Sequence, residues 1–103
     1  MSTTLEYLNV PLVAPCSYYF NVSSPLEFVI TATLVQGVTV SAYLGAIPIV
    51  QDSSLRTVLS SILTVEARHT AFVRAALGEA PFASPFDTPI DLSEAYTLAE
   101  LYT

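Results

Sequence analysis

Glu66 and His69 are the residues whose types and spacing could do chemistry. Three positions apart on a helix, a carboxylate and an imidazole share one face, one turn from each other, and form a chelating or proton-exchanging pair. The same stripe carries Leu55, Val58, Leu59, Ile62, Val73 and Leu77 at three- and four-residue intervals, so two polar groups interrupt an apolar face. Burying a carboxylate without a partner costs several kcal/mol or forces its protonation. If the stripe faces inward, a metal ion, mutual and backbone hydrogen bonding, or the neighbouring Arg68 or Arg74 must satisfy the pair.

The pair needs a helix over residues 53–77. Asp52 caps its start, Ser53 and Ser54 fill the first turn, Arg74 suits the last turn, and Gly78 supplies the stop. A preceding helix is predicted over 25–47, opened by Ser24-Pro25-Leu26-Glu27 as N-cap, first-turn proline and capping-box glutamate. Its β-branched content favours a strand, but its length and lack of alternation favour a helix. Two apolar rows run along it. One holds Val29, Ala32, Gln36, Val40, Tyr43 and Ile47, and the other Leu26, Ile30, Leu34, Val38 and Ala42, so burial on more than one side is expected. Gly37 implies a close backbone neighbour, and Pro48 ends or kinks the helix. The short connection at 49–51 makes the two helices an antiparallel αα-hairpin spanning 24–78. Before it lies an irregular lead-in, 1–23. After it come Pro81, Pro85 and Pro89 with Phe82 and Phe86 between them, an extended strap expected to dock its rings on the helices, and a short helical turn from Asp91 towards Leu101, completing 79–103.

Composition narrows the function classes. The chain of 103 residues is 52% hydrophobic, ample for one small domain. Three Lys+Arg against nine Asp+Glu give a net charge of −6, which opposes nucleic-acid binding. The lone Cys16 forms no intrachain disulfide and no cysteine zinc site, and reads as an inert packed thiol. The N-terminus reads as no secretory signal, so the Asn21-Val22-Ser23 sequon carries no weight. Residues 28–50 lack charge and could by length span a bilayer. Gln36, the glycines, Pro48, four hydroxyls and the absence of flanking basic residues argue against a membrane span.

The runs VSAYLGAIPIV at 40–50, SILTVEARHTAFVRAALGEAPFASPFDTP at 61–89 and APCSYYF at 14–20 resemble the ferritin-like domain of fungal stress-response and plant desiccation-related proteins. The likeness runs from about Ala14 to the C-terminus, with EARH and PFDTP its most specific parts. It implies an all-α fold in which this chain supplies the second half of a four-helix bundle, with Met1 falling just after the first two helices. Members of that family are often secreted. The ferritin-like metal architecture takes one Glu from each of two helices and a Glu-x-x-His from each of the other two. Carried over, Glu66 and His69 are the Glu-x-x-His, and the lone-Glu position falls at Gln36. A neutral amide cannot bridge two cations as a carboxylate does.

Two functions follow. One is a non-catalytic half-bundle with a structural or interaction role in stress, without catalytic residues or cofactor. The other binds iron or another divalent metal through Glu66, His69 and Gln36, its site completed by a homodimer. Either way the exposed apolar row calls for a second copy or a partner bringing the other helices. Gln36 is expected as a core amide hydrogen-bonded to the Glu66–His69 pair, Tyr43 as core, and Asp87, Asp91 and Glu94 as a solvated acidic tail.

Overall fold

The computed structural model describes residues 9, 11, 14–82 and 84–103. Helix α1 spans Pro25–Ala46 and tightens into a 3₁₀ turn at Ile47–Ile49, α2 spans Ser53–Ala76, and α3 spans Leu92–Glu100. The described residues contain no strand. The fold is therefore all-α. Ile30 and Leu34 of α1 lie level with Arg74 and Leu77 of α2, while Val40 and Ser41 lie level with Ala67 and Arg68, so the two long helices run antiparallel as a hairpin.

Local chemistry sets each helix end. The Ser24 hydroxyl accepts from the Glu27 N–H at 3.2 Å. The Glu27 carboxylate reaches one residue further back than a capping box requires, accepting from the Ser23 hydroxyl at 2.6 Å and the Ser23 N–H at 2.8 Å. Those bonds to Ser23 hold the Glu27 carboxyl below its ordinary pKa. Asp52 caps α2 by accepting from the Leu55 N–H at 2.6 Å. At the other end Gly78 takes φ 77°, a conformation favouring glycine. This lets the Gly78 and Glu79 N–H groups close on the Ala75 and Arg74 carbonyls at 3.0 and 2.9 Å, a Schellman stop. Asp91 and Glu94 form a reciprocal capping box, both bonds 2.8 Å, so these two acids start α3 and are not a loose acidic tail.

Packing departs from expectation at three places. Val40 and Thr33 of α1 are the two described residues that are buried, Thr33 by donating its hydroxyl to the Val29 carbonyl at 2.8 Å. The Phe82 and Phe86 rings are 80% and 83% exposed and do not dock on the helices. What anchors the 79–91 segment is backbone: the Ile90 N–H donates to the Ser41 carbonyl at 3.1 Å where the chain crosses α1 at Gly45. The close-approach glycine is thus Gly45. A Cβ there would overlap the Ile90 carbonyl, whereas one at Gly37 would meet nothing within 4 Å. The crossing brings α3 onto the far side of α1, where Leu98 and Ala99 line a cavity of about 310 Å³ with Val35, Val38 and Phe20. The lead-in closes the same side. Its Tyr19 N–H donates to the Tyr102 carbonyl at 2.6 Å, and the Phe20 and Tyr102 rings lie 4.9 Å apart.

Gly37→Ala should therefore raise stability by up to about 1 kcal/mol, the usual helix-interior difference. Gly45→Ala should cost about 1–3 kcal/mol through the backbone overlap. Urea unfolding reads both values, and hydrogen exchange at the Ile90 amide should rise only in Gly45→Ala. Equal effects at the two positions would place the crossing elsewhere.

Candidate metal motif and its surroundings

The Glu-x-x-His pair forms as the spacing requires. His69 Nδ1 lies 3.6 Å from Glu66 Oε2, one turn away on α2. The environment is not the enclosed face expected of a buried chelate, since the Glu66 side chain is 27% exposed and that of His69 55%. Water reaches both groups, so neither demands a metal to offset desolvation.

The stripe that carries the pair splits in two. Leu59, Ile62, Val73 and Leu77 are half-buried, whereas Leu55 and Val58 stand open to solvent with Val65 and Phe72. Glu66 belongs with the first group and His69 with the second. A helix rotation different from the one assumed from the periodicity produces this division.

Gln36 does not bond to the pair. Its Oε1 is buried and accepts no hydrogen bond, and Glu66 and His69 find each other without it. An unsatisfied buried acceptor carries a desolvation cost of about 1–3 kcal/mol. Tyr43 is half-buried beside the 3₁₀ turn, its carbonyl accepting from the Ile47 N–H. Cys16 is exposed, not packed, and its contact with Tyr18 pushes the phenol pKa up.

The donor set of one chain is thus a carboxylate, an imidazole and a neutral amide. Among the described residues no group of three or more His, Cys, Asp or Glu comes together to hold a metal ion. A dinuclear ferritin-type centre draws on four carboxylates and two imidazoles, so the residues one chain provides do not fit that group.

Glu66, His69 and Gln36 also line none of the four principal cavities. The most polar of these, about 570 Å³, lies between the hairpin and the 81–88 segment and takes in Arg68 and Arg74. Arg74 is engaged there, its Nε donating to the Ala80 carbonyl at 2.8 Å and its guanidinium 3.7 Å from Glu79. Arg68 and Arg74, read from sequence as neighbours for Glu66, line this cavity instead, and Arg74 holds the exit from α2.

An all-helical hairpin with a Glu-x-x-His on its second helix is the architecture of half a ferritin-like bundle. Residues 2–79 match the family model described as a ferritin-like domain, and the chain belongs to that family. No curated protein matches the chain at a significant level. The family match ends at Glu79, so the Pro85–Pro89 run and α3 lie beyond it.

Replacing the orphaned amide gives a direct check on its surroundings. Gln36→Leu should leave stability unchanged or raise it by about 1 kcal/mol in urea unfolding, because it removes an unpaired buried oxygen at little change in volume. A loss above about 1 kcal/mol would mean that the amide has a partner.

Proposed function

We propose that the chain is a non-catalytic ferritin-like protein of the fungal stress-response and plant desiccation-related type, working through its surfaces and not through turnover. The observation that carries this reading is the open apolar surface. The chain exposes 7837 Å², about 2,200 Å² more than the roughly 5,650 Å² expected of a compact chain of this mass. Its radius of gyration is 15.2 Å, against about 13 Å for a compact domain of this length. Leu26, Phe28, Ile30 and Leu34 of α1 and Leu55, Val58, Val65 and Phe72 of α2 are among the large apolar side chains left exposed, and exposed apolar surface of this kind marks an interaction site.

The donor chemistry supports the same reading. The family resemblance puts Gln36 where a ferritin-type site has a bridging carboxylate, and Glu66 and His69 lie 3.6 Å apart within reach of water. A metal centre would need a second copy to bring another Glu66, His69 and Gln36, and even then two carboxylates would face the charge of two divalent ions. The apolar helix Pro25–Ile49 is long enough to cross a membrane by length and composition. We read it as a bundle helix, because it pairs with α2 inside the span matched to the ferritin-like family.

Metal analysis of protein purified from iron-supplemented cells tests the proposal. The expected content is well below one ion per chain and unchanged in Glu66→Ala. One or more ions per chain, lost in Glu66→Ala, would sink it in favour of a metal-binding dimer. In the same assay Gln36→Glu should raise iron affinity if residue 36 faces the pair across an assembled bundle.

A further inference from the structure

The lead-in and α3 meet on the far side of α1 from α2, and the space between them is shaped for a small molecule. The cavity there has a volume of about 310 Å³, at the lower end of the range typical of ligand sites. Val35 and Val38 of α1 form its floor, and Leu98 and Ala99 of α3 form one wall. The other wall is aromatic. Tyr18 stacks on Phe20 with ring centroids 6.3 Å apart, and Phe20 lies 4.9 Å from Tyr102. The Tyr19–Tyr102 backbone bond of 2.6 Å ties this wall to the residues just after α3. Among the described residues no charged side chain lines the cavity, and the Thr39 hydroxyl is already donated to the Val35 carbonyl at 3.0 Å. Tyr18 and Leu98 are 54% and 37% exposed, so the cavity is reached from solvent.

We propose that this cavity binds a neutral two-ring aromatic molecule of naphthol or indole type. Four properties select that class. Charge is excluded, because nothing in an uncharged lining compensates an ion for leaving water, and the net charge of −6 repels anions further. A partner helix is excluded by size, since one turn, about 10 Å across and 5.4 Å long, needs roughly 400 Å³. Size also sets the number of rings: a cavity of about 150 Å³ takes one benzene, and this one is about twice as large. An aromatic occupant is favoured over an aliphatic one by the wall of three rings, which offers offset and edge-to-face contacts that an alkyl chain cannot match. Binding also gives the lining side chains the dispersion contacts that they otherwise lack on one side. The family match ends at Glu79, so α3 and Tyr102, which close the site, lie beyond the matched domain. Neither the interaction surfaces of the hairpin nor the Glu66–His69 pair contributes to it.

Titration of the full chain with naphthol tests the site, and because the chain has no tryptophan the ligand's fluorescence is read without that background. The expected result is saturable binding of one molecule per chain with a Kd on the order of 100 µM, within reach of a ligand of about eleven non-hydrogen atoms. Naphthoate, which carries a charge, should bind at least about tenfold more weakly, and decanol at least about threefold. Ala99→Phe, which fills the cavity, should keep its helical circular dichroism and lose at least about tenfold in affinity. Phe72→Ser, on the open flank of α2, should bind as the native chain does. Shifts of the Val35 and Val38 methyl resonances on addition of naphthol place the ligand in the native chain, whatever the folding of the variants. Absence of saturation overturns the inference, as does binding of naphthoate or decanol as tight as that of naphthol. Undiminished affinity in a folded Ala99→Phe, loss of binding in Phe72→Ser, or unmoved Val35 and Val38 methyls overturns it equally. Ligand affinity and metal content are read separately, so failure here leaves the proposed function standing and an iron-loaded protein leaves the site standing.

Discussion

A helix with no charge from residue 28 to residue 50 has to be covered on every side, and the rest of the fold is the set of elements that cover α1. Helix α2 takes the side where Thr33 and Val40 are buried. The aromatic lead-in and α3 take another, held by the Tyr19–Tyr102 backbone bond. The crossing at Gly45 determines how α3 gets there, because only a residue without Cβ lets the Ile90 carbonyl approach α1 so closely. Coverage is nevertheless incomplete near the start of the helix, where Leu26, Phe28, Ile30 and Leu34 stay exposed. Among the described residues Thr33 and Val40 alone are buried, so the hairpin removes little of its apolar surface from water within one chain.

What the sequence made legible is what short-range chemistry decides. The caps at Ser24 and Asp52 and the glycine stop at Gly78 depend on residues within four positions of each other, and each does in the structure what its type allows; the Asp91–Glu94 box is equally local, but its two acids read as solvated tail because the helix they open is short. The β-branched run resolved as a helix because its length and rows outweighed propensity, which tertiary burial routinely overrides. The Glu66–His69 contact was legible for the same reason, being fixed by one turn of helix.

Long-range relations were not legible. Which glycine sits under a crossing depends on the path of a segment more than forty residues away, and composition near Gly37 and Gly45 carries no trace of it. Whether Phe82 and Phe86 dock depends on that same path, and prolines at four-residue spacing constrain only the local backbone. The rotation of α2 is a subtler case. A helix bearing apolar residues on two adjacent flanks has two self-consistent stripes. The one through Leu59, Val73 and Leu77 meets α1, while the one through Val58, Val65 and Phe72 stays outside. Reading them as a single face put His69 inside, where the structure leaves it more than half exposed.

That rotation alters what the Glu-x-x-His can be in this protein. In a closed ferritin-like centre the motif works because the bundle interior removes water and other helices return the missing carboxylates. Here α2 holds the motif on the border between its two flanks, with Glu66 half-buried at the hairpin and His69 on the open flank. Gln36, neutral and unpaired in the described structure, brings no further charge to the pair. The hairpin alone therefore neither removes water from the motif nor returns the carboxylates that a ferritin-type centre draws from its other helices, and the motif is a local feature of one helix turn before it is a site.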